Sequence, residues 1–126
     1  MADESCGTPE DLLRLIREDA VDSFHFKICK AGGISRLMKM VAIAESAGKP
    51  YVIGQMDEGM LATASAIHCG LVCRAKSTEL GGFQRIAKQP YRGIEVRNGA
   101  IHIADQPGLG IEVDESGLDL IERLEL

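Results

Sequence analysis

One segment, residues 23–34, constrains the fold more than any other part of this 126-residue chain. Its side chains alternate in character: Phe24, Phe26 and Ile28 are apolar, whereas His25, Lys27 and Cys29 lie on the other face. An alternation with a period of two predicts a β-strand from Ser23 to Cys29, with its apolar face packed against a helix.

The end of this strand is the first candidate for a functional position. Gly32 and Gly33 allow a sharp turn, and Ser35 is a candidate cap for a helix from about Arg36 to Ala47. A lysine at the carboxyl end of a strand, just before a strand-to-helix loop, lies where α/β enzymes place their chemistry. Lys27 is therefore a candidate catalytic group, and the alternative is a solvated lysine at a strand end.

The pattern up to residue 82 predicts alternating strands and helices. Thr8 and Pro9 begin a helix that fades near Glu18, because threonine caps helices and proline suits the first turn. Further elements are expected as a strand at Tyr51–Gly54, a helix at Met60–Cys69 and a short strand within residues 72–80 that ends at Glu79. Such alternation predicts an α/β fold with a parallel sheet and helices outside it.

A different pattern begins after Gly82. Two alternating runs flank Asn98-Gly99 within Gly93–Ile103, and this dipeptide is a strong hairpin signal. A turn at Pro107–Gly110, a strand at Ile111–Val113 and an amphipathic helix at Ser116–Leu124 are expected to follow. We therefore divide the chain into residues 1–82 and a tail of residues 83–126.

Composition excludes several classes of function. The net charge is −5 and no block of like charges occurs, which argues against binding to nucleic acid or to an anionic membrane. No apolar run is long enough for a membrane span, and the acidic start does not resemble a signal peptide, so a soluble cytoplasmic protein is expected. The four cysteines have neither CxxC nor metal-ligand spacing, which predicts reduced and mostly buried thiols.

Several short motifs follow one another along the chain: Met1–Ser5, Lys27–Gly33, Gly54–Gly59, Ser65–His68, Glu79–Leu80 and Pro107–Gly110. In order and approximate spacing they resemble the enolase superfamily, and more narrowly the muconate lactonizing subgroup of the mandelate racemase/muconate lactonizing enzyme family. The resemblance covers essentially the whole chain. It implies the C-terminal half of a TIM-like (β/α)7β barrel, strands five to eight, with a hairpin and helix tail that packs on the barrel and on a capping domain.

The resemblance also implies a chemistry, the abstraction of the proton beside a carboxylate to give an enediolate stabilised by Mg2+ or another divalent metal. Lys27 corresponds to the acid/base on the sixth strand, Asp3 to the third metal ligand, and Glu4 to a supporting residue. In the family, Lys27 faces a second-strand lysine across the substrate. That lysine and two further metal-binding carboxylates have no counterpart in this sequence.

Other polar residues have two interpretations each. Glu58 and Asp57 are candidates for substrate binding, or they are capping and solvated loop acids. Lys30 either contacts an anionic substrate or is solvated, and Glu79 either contacts substrate or bonds to neighbouring backbone. His25 is either a core histidine whose hydrogen bonds are satisfied or a ligand.

Three functions remain open. The first is part of a metal-dependent enzyme of the cycloisomerase, racemase/epimerase or dehydratase type, acting on a small carboxylate substrate. The alternative is a catalytically silent fragment or self-association module, and the third is a small anion-binding domain using Gly32-Gly33 and Lys30. Open strand edges predict pairing with a missing N-terminal half or with a second copy. The start at Met1 is interpreted as a truncation, an internal start or an incomplete gene.

Overall fold

Three parallel strands form the sheet around which the chain folds, in a computed structural model that describes residues 1–119 and 121–122. The strands are β1 (Phe24–Lys27), β2 (Tyr51–Gly54) and β3 (Ser77–Glu79), in the order β1-β2-β3. Lys27 pairs with Gly54, and Gly54 pairs with Glu79. The three strands therefore end together at one edge, which we call the carboxyl edge. The predicted parallel α/β arrangement is confirmed.

Four α-helices accompany the sheet in the described residues: α1 (Pro9–Arg17), α2 (Ile28–Ala31), α3 (Ile34–Ser46) and α4 (Met60–Val72). The start of α1 was predictable because Thr8 and Asp11 cap it reciprocally. Thr8 Oγ1 accepts from the Asp11 amide at 3.1 Å, and the Thr8 amide donates to Asp11 Oδ2 at 3.0 Å. The helix ends at Arg17, close to the predicted end.

The core lies between the sheet and the helices α1, α3 and α4. Phe24 and Phe26 are buried on the apolar face of β1, as the alternation predicts. Their rings stack in series with Tyr51, with centroids 6.1 Å and 5.4 Å apart. Leu12 and Leu37 are fully buried from the helix side. This packing fixes the direction of β1, and with it the position of Lys27.

The predicted strand from Ser23 to Cys29 is too long. β1 ends at Lys27, and Ile28 begins the single helical turn α2, which Gly32 closes in the left-handed conformation at φ 81°. Cys29 is therefore exposed on a helix rather than aligned with Lys27 on a strand face. The predicted cap at Ser35 is also wrong, because α3 begins at Ile34 with Gly33 as its cap residue.

Residues 1–5 form less of a strand than the resemblance implies. Ala2 makes one parallel bridge to Phe24, and the His25 amide donates to Ala2 O at 2.8 Å. The chain then turns, because the Cys6 amide donates back to Asp3 O at 3.1 Å. Pairing with β1 is thereby limited to a single residue, which still places Asp3 at the carboxyl edge.

The helix α4 is longer than predicted, and its extra residues include two exposed apolar side chains, Leu71 and Val72. α4 continues past Cys69 to Val72. Gly70 lies inside this helix, where a Cβ atom would be 3.2 Å from Thr78 Cγ2 of β3. The last turn thus carries exposed apolar side chains beside the sheet.

The tail contains the predicted hairpin, formed by β5 (Ile94–Arg97) and β6 (Ala100–Ile103) around Asn98 and Gly99, both with positive φ. The strands β4 (Tyr91–Arg92) and β7 (Glu112–Val113) pair antiparallel, and the first was not predicted. The predicted helix at Ser116–Leu124 is wrong in the part that the structure describes, where one 3-10 turn, Glu115–Gly117, is capped by Asp114. The remainder of that prediction falls on residue 120 and residues 123–126, outside the described residues.

Within the described ranges, no helix combines the length and apolar character that a membrane crossing requires.

Candidate functional site

A cluster of charged side chains occupies the carboxyl edge of the sheet. It consists of Asp3, His25, Lys27 and Lys30, and we call it the Asp3 cluster. Asp3 comes from the bridged N-terminal segment, His25 and Lys27 from β1, and Lys30 from α2. The turn of α2 brings Lys30 back toward the strand end that carries Lys27. The structure thus brings four of the candidate site residues together, because Asp3 contacts Lys27 and Lys30, and Glu4 contacts Lys27.

Lys27 is buried and ion-paired. Its residue exposure is 7%, and Nζ lies 2.9 Å from Asp3 Oδ2 and 3.5 Å from Glu4 Oε1. Met56 Sδ lies 3.6 Å from the same nitrogen. Burial lowers the pKa of Lys27, but the hydrogen bond and charge of Asp3 outweigh that effect, and the net pKa is raised. In this arrangement Lys27 is an ammonium ion.

Lys30 approaches the other side of Asp3. Its Nζ donates to Asp3 Oδ1 and to the Asp3 backbone oxygen, the latter at 2.6 Å. Partial burial raises the pKa of Asp3, but the hydrogen bonds from Lys30 and Lys27 outweigh it and hold the pKa at about 2. Asp3 is therefore a carboxylate with an ammonium ion on each oxygen. The Lys30 side chain therefore contacts Asp3 and is largely shielded from solvent.

The loop acids lie away from this cluster. Asp57 is exposed and accepts from Arg85 Nη1 at 3.1 Å. Glu58 Oε2 accepts from the Met56 amide at 3.2 Å, which is the loop-capping contact of its second interpretation. Burial and the Glu58 carboxylate together raise the pKa of the exposed Cys29 thiol. The two loop acids do not contact Lys27 among the described hydrogen bonds and ion pairs.

A cavity of about 380 Å3 lies between the loop that follows β2 and the 3-10 turn Gly82–Arg85. It is lined by Gln55, Met56, Asp57, Glu79, Gln84 and Arg85, together with Gly81 and Gly82. Gln55 is buried, and neither of its amide atoms has a hydrogen-bond partner in the described part of the chain. Gln55 belongs to the Gly54–Gly59 motif, but the sequence pattern assigned it no role. Its position directly after a parallel strand was the signal that could have marked it.

The donor atoms do not fit a complete metal site. Mg2+ prefers an octahedron of oxygen ligands, whereas here the Asp3 carboxylate is occupied by two lysines and the neighbouring Glu4 carboxylate lies against Lys27. No group of three or more His, Cys, Asp or Glu side chains in the described ranges could hold a metal ion. We therefore derive no chemical step through a metal from this chain alone.

The family model described as "Enolase C-terminal domain-like" matches residues 1–117. This chain belongs to that family. Muconate cycloisomerase 1 of Pseudomonas putida is 36% identical over an alignment that covers 98% of this chain and 34% of that enzyme. Other relatives are chloromuconate cycloisomerases and dipeptide epimerases. The resemblance inferred from the motifs is confirmed.

Solved structures of family members superpose on the chain. Muconate lactonizing enzyme from Pseudomonas putida has a TM-score of 0.87 at 34% identity, covering 93% of this chain and 33% of that one. The dipeptide epimerase from Methylococcus capsulatus, solved with Mg and the dipeptide L-Arg-D-Lys, has a TM-score of 0.82 at 33% identity, covering 87% and 32%. The chain spans about a third of the length of the relatives it matches.

Proposed function

We propose that this chain provides the acid/base side of an active site that moves the α-proton of a carboxylate substrate through an enediolate. The reaction is of the cycloisomerase, racemase/epimerase or dehydratase type. The observation that carries the proposal is Lys27, a lysine buried at the carboxyl edge in contact with Asp3. Relatives named as cycloisomerases and epimerases support the same class of reaction.

Lys27 has a defined protonation chemistry in this proposal. As an ammonium ion paired with Asp3, it can deliver a proton to a carbanionic centre. To accept a proton it must first lose the Asp3 carboxylate, because that carboxylate keeps its pKa high. Desolvation then favours the neutral amine. The environment of Asp3 therefore decides whether Lys27 acts as an acid or as a base.

The proposal extends to the remaining parts of the site. Residues 1–5 correspond to barrel strand five, and β1, β2 and β3 correspond to strands six to eight. Residues 1–82 are then the partial barrel, and residues 83–126 are the tail. Asp3 would supply one carboxylate oxygen to a Mg2+ ion or another divalent cation, with Glu4 in support, only where a second polypeptide segment supplied the other ligands that the described residues of this chain lack. Glu58, Asp57 and Lys30 contact a small carboxylate substrate.

Proton exchange in heavy water tests the proposal directly. The full chain would be combined with the part of muconate cycloisomerase 1 from Pseudomonas putida that it does not span, as the source of the other metal ligands. The mixture would be incubated with Mg2+ and either muconolactone or L-Arg-D-Lys, and loss of the α-proton signal would be followed by 1H NMR. We expect exchange with the wild type and loss of at least about 100-fold in Lys27→Ala, since general acid–base catalysis contributes roughly 10²–10⁴-fold. Lys39→Ala is the matched control, because Lys39 is an exposed lysine of α3. Equal exchange in wild type and Lys27→Ala would refute the role of Lys27.

A second candidate function is a catalytically silent self-association module. It is favoured by the occupation of both Asp3 oxygens by lysines and by the exposure of all three residues of β3. For this function we expect no exchange with any of these substrates and no change on Lys27→Ala. Association through the open edge would remain, and light scattering measures it.

A further inference from the structure

We infer that His25 is a positioning residue whose imidazole ring lies between the carboxylates of Asp3 and Glu79 and sets where each of them stands. The inference deepens the proposed function, and it rests on that function only in taking Asp3 and Glu79 as parts of an active site. His25 lies on β1 and Glu79 on β3, so the ring must reach across β2 to stand between these acids. It thereby connects the Asp3 cluster to the cavity beside Glu79.

The two ring nitrogens face different carboxylates. His25 is 5% exposed, with Nδ1 3.3 Å from Asp3 Oδ2 and Nε2 3.4 Å from Glu79 Oε2. Both distances exceed an ordinary hydrogen bond, and Nε2 has no hydrogen-bond partner in the described part of the chain. The expectation of a satisfied core histidine is therefore wrong. A buried, unpartnered ring nitrogen aimed at a carboxylate indicates a polar role rather than simple packing.

Gly54 provides the space that the ring needs. A Cβ atom at Gly54 would lie 1.8 Å from His25 Nε2 and 2.8 Å from the adjacent ring carbons. Gly54 is also the β2 residue that pairs with Glu79. The imidazole thus lies over a glycine in the middle strand, and only a residue without a side chain fits beneath it.

Glu79 depends on this contact for its orientation. Its side chain is 73% exposed, and His25 Nε2 is the one side-chain nitrogen of a basic residue found within 4 Å of its carboxylate among the described residues. Glu79 also lines the cavity beside Gln55 and Arg85. Asp3 has two lysines as further partners, so loss of the ring should affect Glu79 more than Asp3.

Carboxylate-detected 13C NMR on the full chain at one fixed pH tests the assignment without requiring turnover. His25→Leu keeps apolar volume but removes both ring nitrogens, His25→Asn keeps a donor near the Nδ1 position, and His25→Gln keeps one near the Nε2 position. We expect His25→Leu to shift both carboxylate signals, His25→Asn to restore Asp3 only, and His25→Gln to restore Glu79 only. Wild-type carboxylate shifts in His25→Leu would overturn the inference.

A double-mutant cycle tests the contact with Gly54 separately. Gly54→Ala should lower the melting temperature by about 5 °C or more, as expected for a destabilised domain of this size. The same change in a His25→Ala background should cost much less, because the ring is then absent. An equal loss in both backgrounds would show that the ring does not lie over Gly54. Neither experiment depends on proton exchange, so failure of the proposed function is distinguishable from failure of this inference.

Discussion

Tyr51 illustrates how one residue couples the sheet to the helices through a titratable contact. It is buried at the start of β2, and its hydroxyl donates to Glu45 Oε1 of α3 at 2.5 Å. Glu45 Oε1 also accepts from the Arg74 amide at 3.1 Å, which holds the segment before β3. The hydrogen bond from Tyr51, and then that from Arg74, lower the pKa of Glu45. Burial, and then the Glu45 hydrogen bond, raise the pKa of Tyr51.

These shifts predict a stability plateau with two limbs. The Glu45 contribution is present above its ordinary pKa of 4.5 and is lost as the pH falls through the lowered folded value. The Tyr51 contribution is present below its ordinary pKa of 10.0 and is lost as the pH rises above it. We expect Tyr51→Phe to lower the melting temperature by about 5 °C on the plateau, and by less below pH 4 and above pH 10. Thermal melts between pH 3 and pH 11 measure this difference, and a constant difference across the range would contradict it.

At the scale of elements, the sequence predicts the helices and strands that have a periodic residue pattern or a capping residue. The helix α1 was predictable because Thr8, Pro9 and Asp11 each favour a helix start. The strand β1 was predictable from its alternation. The turn α2 was not, because four residues give no helical period and the alternation continues through Ile28 and Cys29. Its only local signal was Gly32, whose left-handed conformation ends the turn.

Packing between the loop after β2 and the 3-10 turn at Gly82 predicts a sharp difference between two adjacent glycines. A Cβ at Gly82 would lie 2.5 Å from the Met56 backbone oxygen and from Gln55 Nε2. At Gly81 the nearest atom would be Gln84 Nε2 at 3.4 Å, and the backbone there has φ −90°. The two positions thus differ mainly in the space available for a methyl group.

We expect Gly82→Ala to destabilise the chain by about 1–3 kcal/mol, the usual cost of overpacking. Gly81→Ala is the matched control, and it should be neutral or stabilising by about 0.4–1 kcal/mol because it restricts the unfolded chain. Urea denaturation of the two variants and the wild type measures both effects. Similar loss of stability in the two variants would show that the cavity wall at Gly82 is not closely packed.

At the scale of the whole molecule, the location of the candidate site was predictable but its contacts were not. Parallel strands end at a common edge, so Lys27 and Glu79 were expected there. The convergence of Lys30 on Asp3 depends on α2, which the pattern did not reveal. His25 reaches across β2 because Gly54 has no side chain. This contact joins two strands, so the pattern of residues along one strand does not reveal it.

The outer edge of β3 predicts association of the chain. All three β3 residues are exposed, and Leu71 and Val72 at the end of α4 are 70% and 73% exposed. β3 pairs with β2 on one side only among the described residues, and an open strand edge beside exposed apolar side chains is a template for pairing with another chain. We expect light scattering to give a mass of at least twice the 13.6 kDa of one chain at micromolar concentrations.

Replacing the exposed apolar pair tests which surface mediates this association. Leu71→Glu combined with Val72→Lys should shift the mass toward that of one chain, because two charges would be desolvated on pairing. Leu13→Glu on α1 is the matched control, since Leu13 is also an exposed leucine but lies on a different helix. A wild-type mass of 13.6 kDa at every concentration would contradict association altogether. Dissociation by Leu13→Glu alone would instead assign the interface to α1, and the open edge of β3 would then have no part in it.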